Sequence, residues 1–397
     1  MHQGNTTANS IYTKPHFFVL DGLRGVAALA IVIFHFMEWV FTDFSRNFIG
    51  HGFLAVDFFF CLSGFVTGYA YDDRLGKTGI LAFFRTRIIR LHPLVILGSV
   101  LGLLTFLFDP FAAGPQGYSV GNVIVIFLCS LLMIPYPAME DRAFNNFGLN
   151  APSWSLFWEY VANIVYALVL FRLARRHLML VAVLAAVALS YVSYSRGNLL
   201  GGWNGETFWD GGARIFYSFT AGLLIHRSGW RLRNNLGFPG LSALLVLAFI
   251  FPWNESWNWL TELLIVLLYF PFLIMLGAGT SLSAKAKPVC DFSGKISYPL
   301  YMTHYAFIWI FGNYLTSHKP GMSELAIVIG SGTVLLVGLA YIVMIGYDVP
   351  VRRYLSNRQR LKQAAAPSYP AAEAATVPAN TMQDQGNRKT RQQEGQQ

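Results

Sequence analysis

The sequence predicts an all-α, polytopic integral membrane protein: ten transmembrane helices with one short re-entrant or interfacial helix near residues 122–134. Three observations carry that reading. Only 12% of the 397 residues are charged while 54% are hydrophobic, a balance that does not suit a water-soluble surface. Apolar segments of about 20 residues, the length that crosses a ~30 Å hydrocarbon core, recur along the chain. The basic residues also fall mainly into alternate connecting loops. An aromatic content of 16% agrees, because Trp and Tyr favour the headgroup boundary. The net charge of +9 does not indicate nucleic acid, since the basic residues are scattered over short loops and form no continuous face. Cys61, Cys129 and Cys290 are widely spaced, fit no metal or disulfide pattern, and read as small packing residues.

In chain order the expected spans are 17–40, 52–71, 91–108, 153–171, 178–194, 212–226, 237–252, 258–277, 297–315 and 323–346. The segment "NVIVIFLCSLLMI" (122–134) is too short to cross and is followed at once by Pro135 and Pro137. Loop charge supports excluding it. With ten spans and both ends in the cytoplasm, 23 of the 29 Lys and Arg lie inside and four outside, while Arg24 and Arg214 fall within spans. An eleventh crossing would place "RLARRH" outside. Residues 1–16, with no secretory signal pattern, read as a cytoplasmic tail. Residues 17–346 form the membrane domain. Residues 347–397 read as a basic, largely disordered cytoplasmic tail, polar and without periodicity after residue 356.

The first span, "LDGLRGVAALAIVIFHF", holds a guanidinium and an imidazole in a membrane helix. Eleven residues at 100° each fall about 20° past three full turns, so Arg24 and His35 share a face, about 16–17 Å apart along the axis. Asp21 and Glu38 share it too. Intramembrane ionisable groups are costly, and several together point to function. Asp57 of the second span, Glu159 of the fourth and Arg214 of the sixth are expected in the outer half with His35. Mutual pairing of Asp57 and Glu159 with Arg214 is the structural alternative. "FFRTRIIRLHP" sets Arg85, Arg87 and Arg90 at the inner mouth of the third span, where Arg87 and Arg90 are adjacent on a helix surface and suited to clamping a phosphate. A ligand with a phosphorylated head and a long thin arm fits between a cationic inner mouth and an outer His/carboxylate pocket. Acyl-coenzyme A has that shape, and an imidazole suits deprotonation of a hydroxyl that attacks a thioester.

Five motifs in this order carry a resemblance: "LDGLRGVAALAIVIFH", "GFLAVDFFFCLSGF", "RIIRLHP", "PSWSLFWEY" and "ISYPLYMTH". Over about residues 17–346 the chain resembles the acyltransferase family 3 membrane proteins, bacterial enzymes that O-acylate cell-surface polysaccharides. The resemblance implies ten helices, acyl-CoA (acetyl-CoA first) as donor substrate with no permanently bound cofactor, and transfer to a sugar hydroxyl. It carries functional positions onto Arg24, His35, Arg87 and Arg90, and onto Ser153, Trp154 and Glu159. Asp57, Ser63, Tyr298 and His304 match further motif positions. Pro299 departs from the pattern and is expected to kink the ninth helix, shifting Tyr301 and His304.

The resulting assignment makes His35, Asp57 and Glu159 the catalytic group. His35 is the general base toward the acceptor hydroxyl, Asp57 or Glu38 holds its tautomer, and Glu159 positions the acceptor. Arg24, Arg87 and Arg90 bind the acyl-CoA phosphates, and Ser153, Trp154, Arg214 and His304 contact substrate. No metal is expected. The partners are acyl-CoA, a surface glycan or lipid-linked sugar, and the bilayer of a bacterial inner membrane. A transporter or flippase for a glycolipid or acyl group, and an acyltransferase acting on a small cytoplasmic molecule, are the alternative readings.

Overall fold

A computed structural model describes residues 16–112 and 114–364 of the chain, with side chains to residue 361. The expectations for residues 1–15 and 365–397 lie outside the described residues. Residues up to Arg353 form one compact unit, and a second unit begins at Tyr354.

The regular elements of the described residues are all helices, with no strand among them. The chain begins with α1 (Phe18–Val40) and α2 (Ala55–Tyr71), the latter entered through a 3-10 turn at Gly52–Leu54. A single helical turn at Leu75–Thr78 leads into α3 (Ile80–Leu107), then α4 (Val120–Leu131), α5 (Ser153–Leu168), α6 (Arg175–Arg196), α7 (Phe208–Ser228) and α8 (Gly237–Phe249). Next come α9 (Asn258–Gly279), which contains a π turn at Ile265–Tyr269, α10 (Lys287–His318), α11 (Met322–Val343), a π turn at Met344–Asp348, and α12 (Val349–Ala364).

Each of the ten predicted segments is therefore a helix. Six runs are long and apolar enough to cross a membrane: Phe18–Val40, Gly52–Tyr71, Ile80–Leu107, Arg175–Arg196, Asn258–Gly279 and Met322–Leu361. α5 and α8 are short, at 16 and 13 residues, and α7 and α10 carry too many polar groups to qualify by composition. α4 has only 12 residues, as the length of its apolar run predicted. Its N-terminus is capped by Ser119 Oγ, which accepts from Asn122 N at 3.2 Å, and Ser130 meets Ser99 of α3 at 2.8 Å. Two boundaries differ from expectation. α3 starts eleven residues before the predicted span, so Arg85, Arg87 and Arg90 stand within a continuous helix, in keeping with the expected adjacency of Arg87 and Arg90 on a helix surface. Residues 349–364, at the start of the expected disordered tail, are helical.

Two helix pairs build the centre: α1 against α10 and α2 against α7. Lipid tails are as apolar as the helices, so close backbone approach through small residues substitutes for a hydrophobic drive. A Cβ on Gly64 of α2 would sit 1.9 Å from the Phe219 carbonyl oxygen of α7, and one on Gly222 of α7 would sit 1.9 Å from that of Cys61. These contacts are backbone, so side-chain rearrangement cannot relieve them. Gly64→Ala is accordingly expected to destabilise the protein by at least the ~1–3 kcal/mol typical of overpacking. A melt in detergent checks this, and a wild-type melting temperature would contradict the tight α2–α7 contact.

α10 runs unbroken through Pro299 from Lys287 to His318. Thr303 Oγ1 donates to the Pro299 carbonyl at 2.8 Å, and Tyr301 and His304 are both buried. Cys61 and Cys290 are buried free thiols, and Cys129 is half-buried and free, in keeping with packing roles.

Candidate active site

The polar residues singled out in the sequence separate into three groups. The first lines a cavity of about 210 Å3 among α1, α2, α3, α5, α10 and the start of α12. Five cations face it, Arg24, Arg87, Arg90, Lys295 and Arg352, against the carboxylates Glu159 and Asp348. Such an excess of positive charge in a low-dielectric wall favours a polyanion. Arg24 is held from two sides. Its Nε donates to Ser297 Oγ at 2.9 Å and its Nη2 to the Gly294 carbonyl at 2.5 Å, and Asp21 Oδ1 lies 3.5 Å from Nη2. Arg87 is only 4% exposed, and its Nη2 donates to Glu159 Oε1 at 3.0 Å. The same oxygen accepts from Ser63 Oγ at 2.8 Å. The Arg87 Nε is buried without a hydrogen-bond partner among the described residues. Arg90 is exposed to the cavity and makes no hydrogen bond among the described residues, so its guanidinium stays available to a ligand.

Glu159 therefore does not stand beside His35, as the sequence suggested, but against Arg87 and Ser63. The reason is local. Residues 145–156 are buried, so the chain is already inside the protein when α5 begins, and a residue two turns later lies deep. Ser155, one turn earlier, meets the Tyr301 hydroxyl at 2.7 Å, and both line the cavity with Phe59.

The second group surrounds His35. Its Nδ1 is 2.6 Å from Glu38 Oε1, one helical turn on, and the carboxylate accepts the Nδ1 proton. Tyr305 Oη donates to the same oxygen at 3.2 Å. The His35 ring stacks on His304 with centroids 5.3 Å apart and planes at 25°, and Tyr305 meets it edge-on at 4.6 Å. Of the two carboxylates considered for holding the imidazole, the structure selects Glu38. Three consecutive rings, Tyr301, His304 and His35, connect the cavity to this group at centroid separations of 6.0 and 5.3 Å. Arg24 faces the cavity, whereas His35 lies past Tyr301 and is not among the lining residues.

The third group is structural. Asp57 is fully buried and both its oxygens are taken by Arg214: Nε donates to Oδ1 at 3.1 Å and Nη2 to Oδ2 at 2.6 Å. Arg214 also donates to the Gly201 carbonyl at 2.7 Å and lies 5.1 Å over the Trp154 ring. Asp57, Arg214 and Trp154 thus engage one another, and Glu38 rather than Asp57 is the carboxylate bonded to His35. Ser153 is buried at the first turn of α5, its hydroxyl without a partner.

Sequence reading missed three cavity residues. Lys295 and Arg352 were counted only as inward-side charge, and Asp348 was not considered. The i,i+4 pairing of Asp348 with Arg352, at 2.5 Å, was a readable signal.

The sequence motifs imply a cationic mouth joined to an outer pocket of His35, Asp57 and Glu159; the structure keeps Arg24 in the cavity, leaves His35 outside it behind Tyr301 and His304, and pairs Asp57 and Glu159 with arginines instead. The sequence matches the acyltransferase-domain family, Acyl_transf_3, over residues 18–345. The chain belongs to this family. As a family member it is an enzyme that transfers acyl groups other than aminoacyl groups. Protein 2 in the picA locus of Rhizobium radiobacter is 35% identical over 189 residues, which cover 44% of this chain and 92% of that protein. Acyltransferase MdmB of Streptomyces mycarofaciens is 30% identical over 167 residues, 40% of each chain. O-acetyltransferase OatA of Staphylococcus aureus is 25% identical over 334 residues, 77% of this chain. The chain spans about half of OatA (52%) and less of MdmB. No solved structure gives a significant match.

Proposed function

We propose that this acyltransferase-family protein is a membrane O-acyltransferase that moves an acyl group, acetyl in the first instance, from cytoplasmic acyl-CoA to a sugar hydroxyl of a cell-surface polysaccharide or its lipid-linked precursor. It would sit in a bacterial inner membrane, with the ten helices of the predicted segments crossing and both ends in the cytoplasm. The observation that carries the reading is the approach of a five-cation cavity to within one ring of the His35–His304 stack. A phosphorylated nucleotide belongs at the cations and a thioester at the imidazole.

In this scheme Arg24, Arg87, Arg90, Lys295 and Arg352 hold the phosphates. Glu38 accepts the Nδ1 proton of His35 and so leaves Nε2 as the base. His35 Nε2 takes the proton of the acceptor hydroxyl as its oxygen bonds to the thioester carbonyl carbon. The C–S bond then breaks, the coenzyme leaves as thiolate, and the imidazolium returns the proton to sulfur. Glu38 stabilises the transient imidazolium, and Tyr305, donating to that carboxylate, keeps it in place. Glu159 orders Arg87 and Ser63 at the donor site rather than positioning the acceptor.

Purified protein, supplied with acetyl-CoA labelled in the acetyl group and glycan-bearing membranes, is expected to label the glycan and release free thiol in equal amounts. Translocation of a glycolipid without thiol release would instead establish a transporter, and acetylation confined to small cytoplasmic molecules would move the acceptor. Arg90→Gln is expected to raise KM for acetyl-CoA about tenfold or more with little change in kcat, since one charge-assisted phosphate contact contributes about 1.5–3 kcal/mol. It should leave the kinetics of a short thioester lacking the nucleotide unchanged. An equal loss with both donors would remove Arg90 from the phosphate site.

A further inference from the structure

His304 is fully buried, and its two ring nitrogens are unequal. Nδ1 lies 2.8 Å from the Tyr301 carbonyl oxygen and 3.1 Å from that of Leu300. Carbonyls only accept, so Nδ1 carries the proton and Nε2 presents a lone pair. That Nε2 is buried with no hydrogen-bond partner among the described residues. Folded proteins leave few such atoms unmet, because each costs about 1–3 kcal/mol, and each one calls for an explanation.

The rings in direct contact with it, Tyr301, Tyr305 and His35, have their donors engaged elsewhere. The Tyr301 hydroxyl is bonded to Ser155. The Tyr305 hydroxyl donates to Glu38, and so does the His35 Nδ1–H. A substrate bearing an N–H or O–H can supply that donor. Tyr301 lines the cavity, and His304 lies between it and His35 in the run of ring contacts, so a molecule reaching from the cavity toward His35 would meet His304. On the reading above that molecule is the arm of acyl-CoA, which bears an amide N–H two carbons from the thioester sulfur.

We propose that His304 Nε2 accepts this amide N–H and thereby sets the thioester carbonyl against His35. The inference rests on the acyl-CoA reading and adds a specific recognition element to it: the ligand class is an N-acylcysteamine thioester, bound through its N–H. His304 is then a donor-binding residue, distinct from the base.

The test uses the full chain in detergent with glycan-bearing membranes as acceptor and three small donors: S-acetyl-N-acetylcysteamine, its N-methyl amide analogue, and S-butyl thioacetate. In the wild type, kcat/KM should fall at least tenfold when the N–H is methylated or absent. H304L should bring the three donors within about twofold of one another without raising the acceptor KM, while H304Q, whose side-chain oxygen still accepts, should keep part of the preference. The N-methyl comparison in wild-type protein needs no variant, so a poorly folding H304L does not remove the test. Equal use of the secondary and N-methyl amides by the wild type, or a preference that survives in H304L, would overturn the proposal. So would a raised acceptor KM in H304L with the donor preference intact, which would assign Nε2 to the acceptor hydroxyl. Failure of the wild type to cleave acetyl-CoA itself would sink the acyltransferase mechanism and not merely this contact.

Discussion

His35→Ala is expected to lower kcat for acyl transfer by about 10²–10⁴-fold, the usual contribution of a positioned general base, while KM for acetyl-CoA changes by less than about threefold. The split follows from the geometry. The phosphate-binding cations line a cavity that does not include His35, and Arg24, on the same helix, is anchored to α10 by Ser297 and Gly294. Deleting the imidazole therefore removes the proton acceptor and leaves donor binding in place. Initial rates against acetyl-CoA concentration, with glycan labelling as the readout, decide the matter. Turnover near the wild-type rate would end the assignment of His35 as base. A large rise in KM with unchanged kcat would make His35 a donor-binding group instead.

Arg214→Met is expected to be the most destabilising of the substitutions considered, at about 3–5 kcal/mol, because it strands the Asp57 carboxylate in a fully buried site. Among the described residues Asp57 has no other side-chain partner, and both of its oxygens are bonded to Arg214. Adding Asp57→Leu should recover much of the loss, as an apolar pair of similar volume often does as well as a buried ion pair. Complete recovery is not expected, because Arg214 also donates to the Gly201 and Phe53 carbonyls and lies over Trp154. Thermal melts of wild type, single and double variants in one detergent check this. A double variant as unstable as the single would show that the stranded charge is not the cause. Residual activity of a folded double variant near the wild-type level would confirm that the Asp57–Arg214 pair is structural, whereas loss of activity with stability restored would return Asp57 to the catalytic group.

These two experiments probe groups that looked alike in the sequence. Asp57, Glu38 and Glu159 are all carboxylates in apolar helices, assigned to one outer pocket from their distance to a helix end. The structure sends each to a different partner: Glu38 to His35, Asp57 to Arg214 and Glu159 to Arg87. Only the Glu38 contact is local, three residues along one helix, and only that one could be computed from helical periodicity. The other two join residues 157 and 72 positions apart, and nothing in the local sequence of either helix specifies such a pairing.

What the sequence determined by itself were the properties that depend on a short stretch of chain. Composition and segment length identified helices at all ten predicted places, six of them in runs long and apolar enough to cross a membrane. The 3.6-residue period placed Arg24, His35 and Glu38 on one face, and the short run at 120–131 formed a short helix. Tertiary structure decided how deep each polar group lies and what it meets. Glu159 is drawn down to Arg87 because residues 145–152 enter the protein as a buried turn before α5 starts. Lys295 and Arg352 join Arg24 because α10 packs on α1 and the chain after α11 returns to the same cavity. Depth and partnership arise from the packing of helices distant in sequence, where the cost of an unmet buried charge selects among arrangements that local periodicity leaves equivalent.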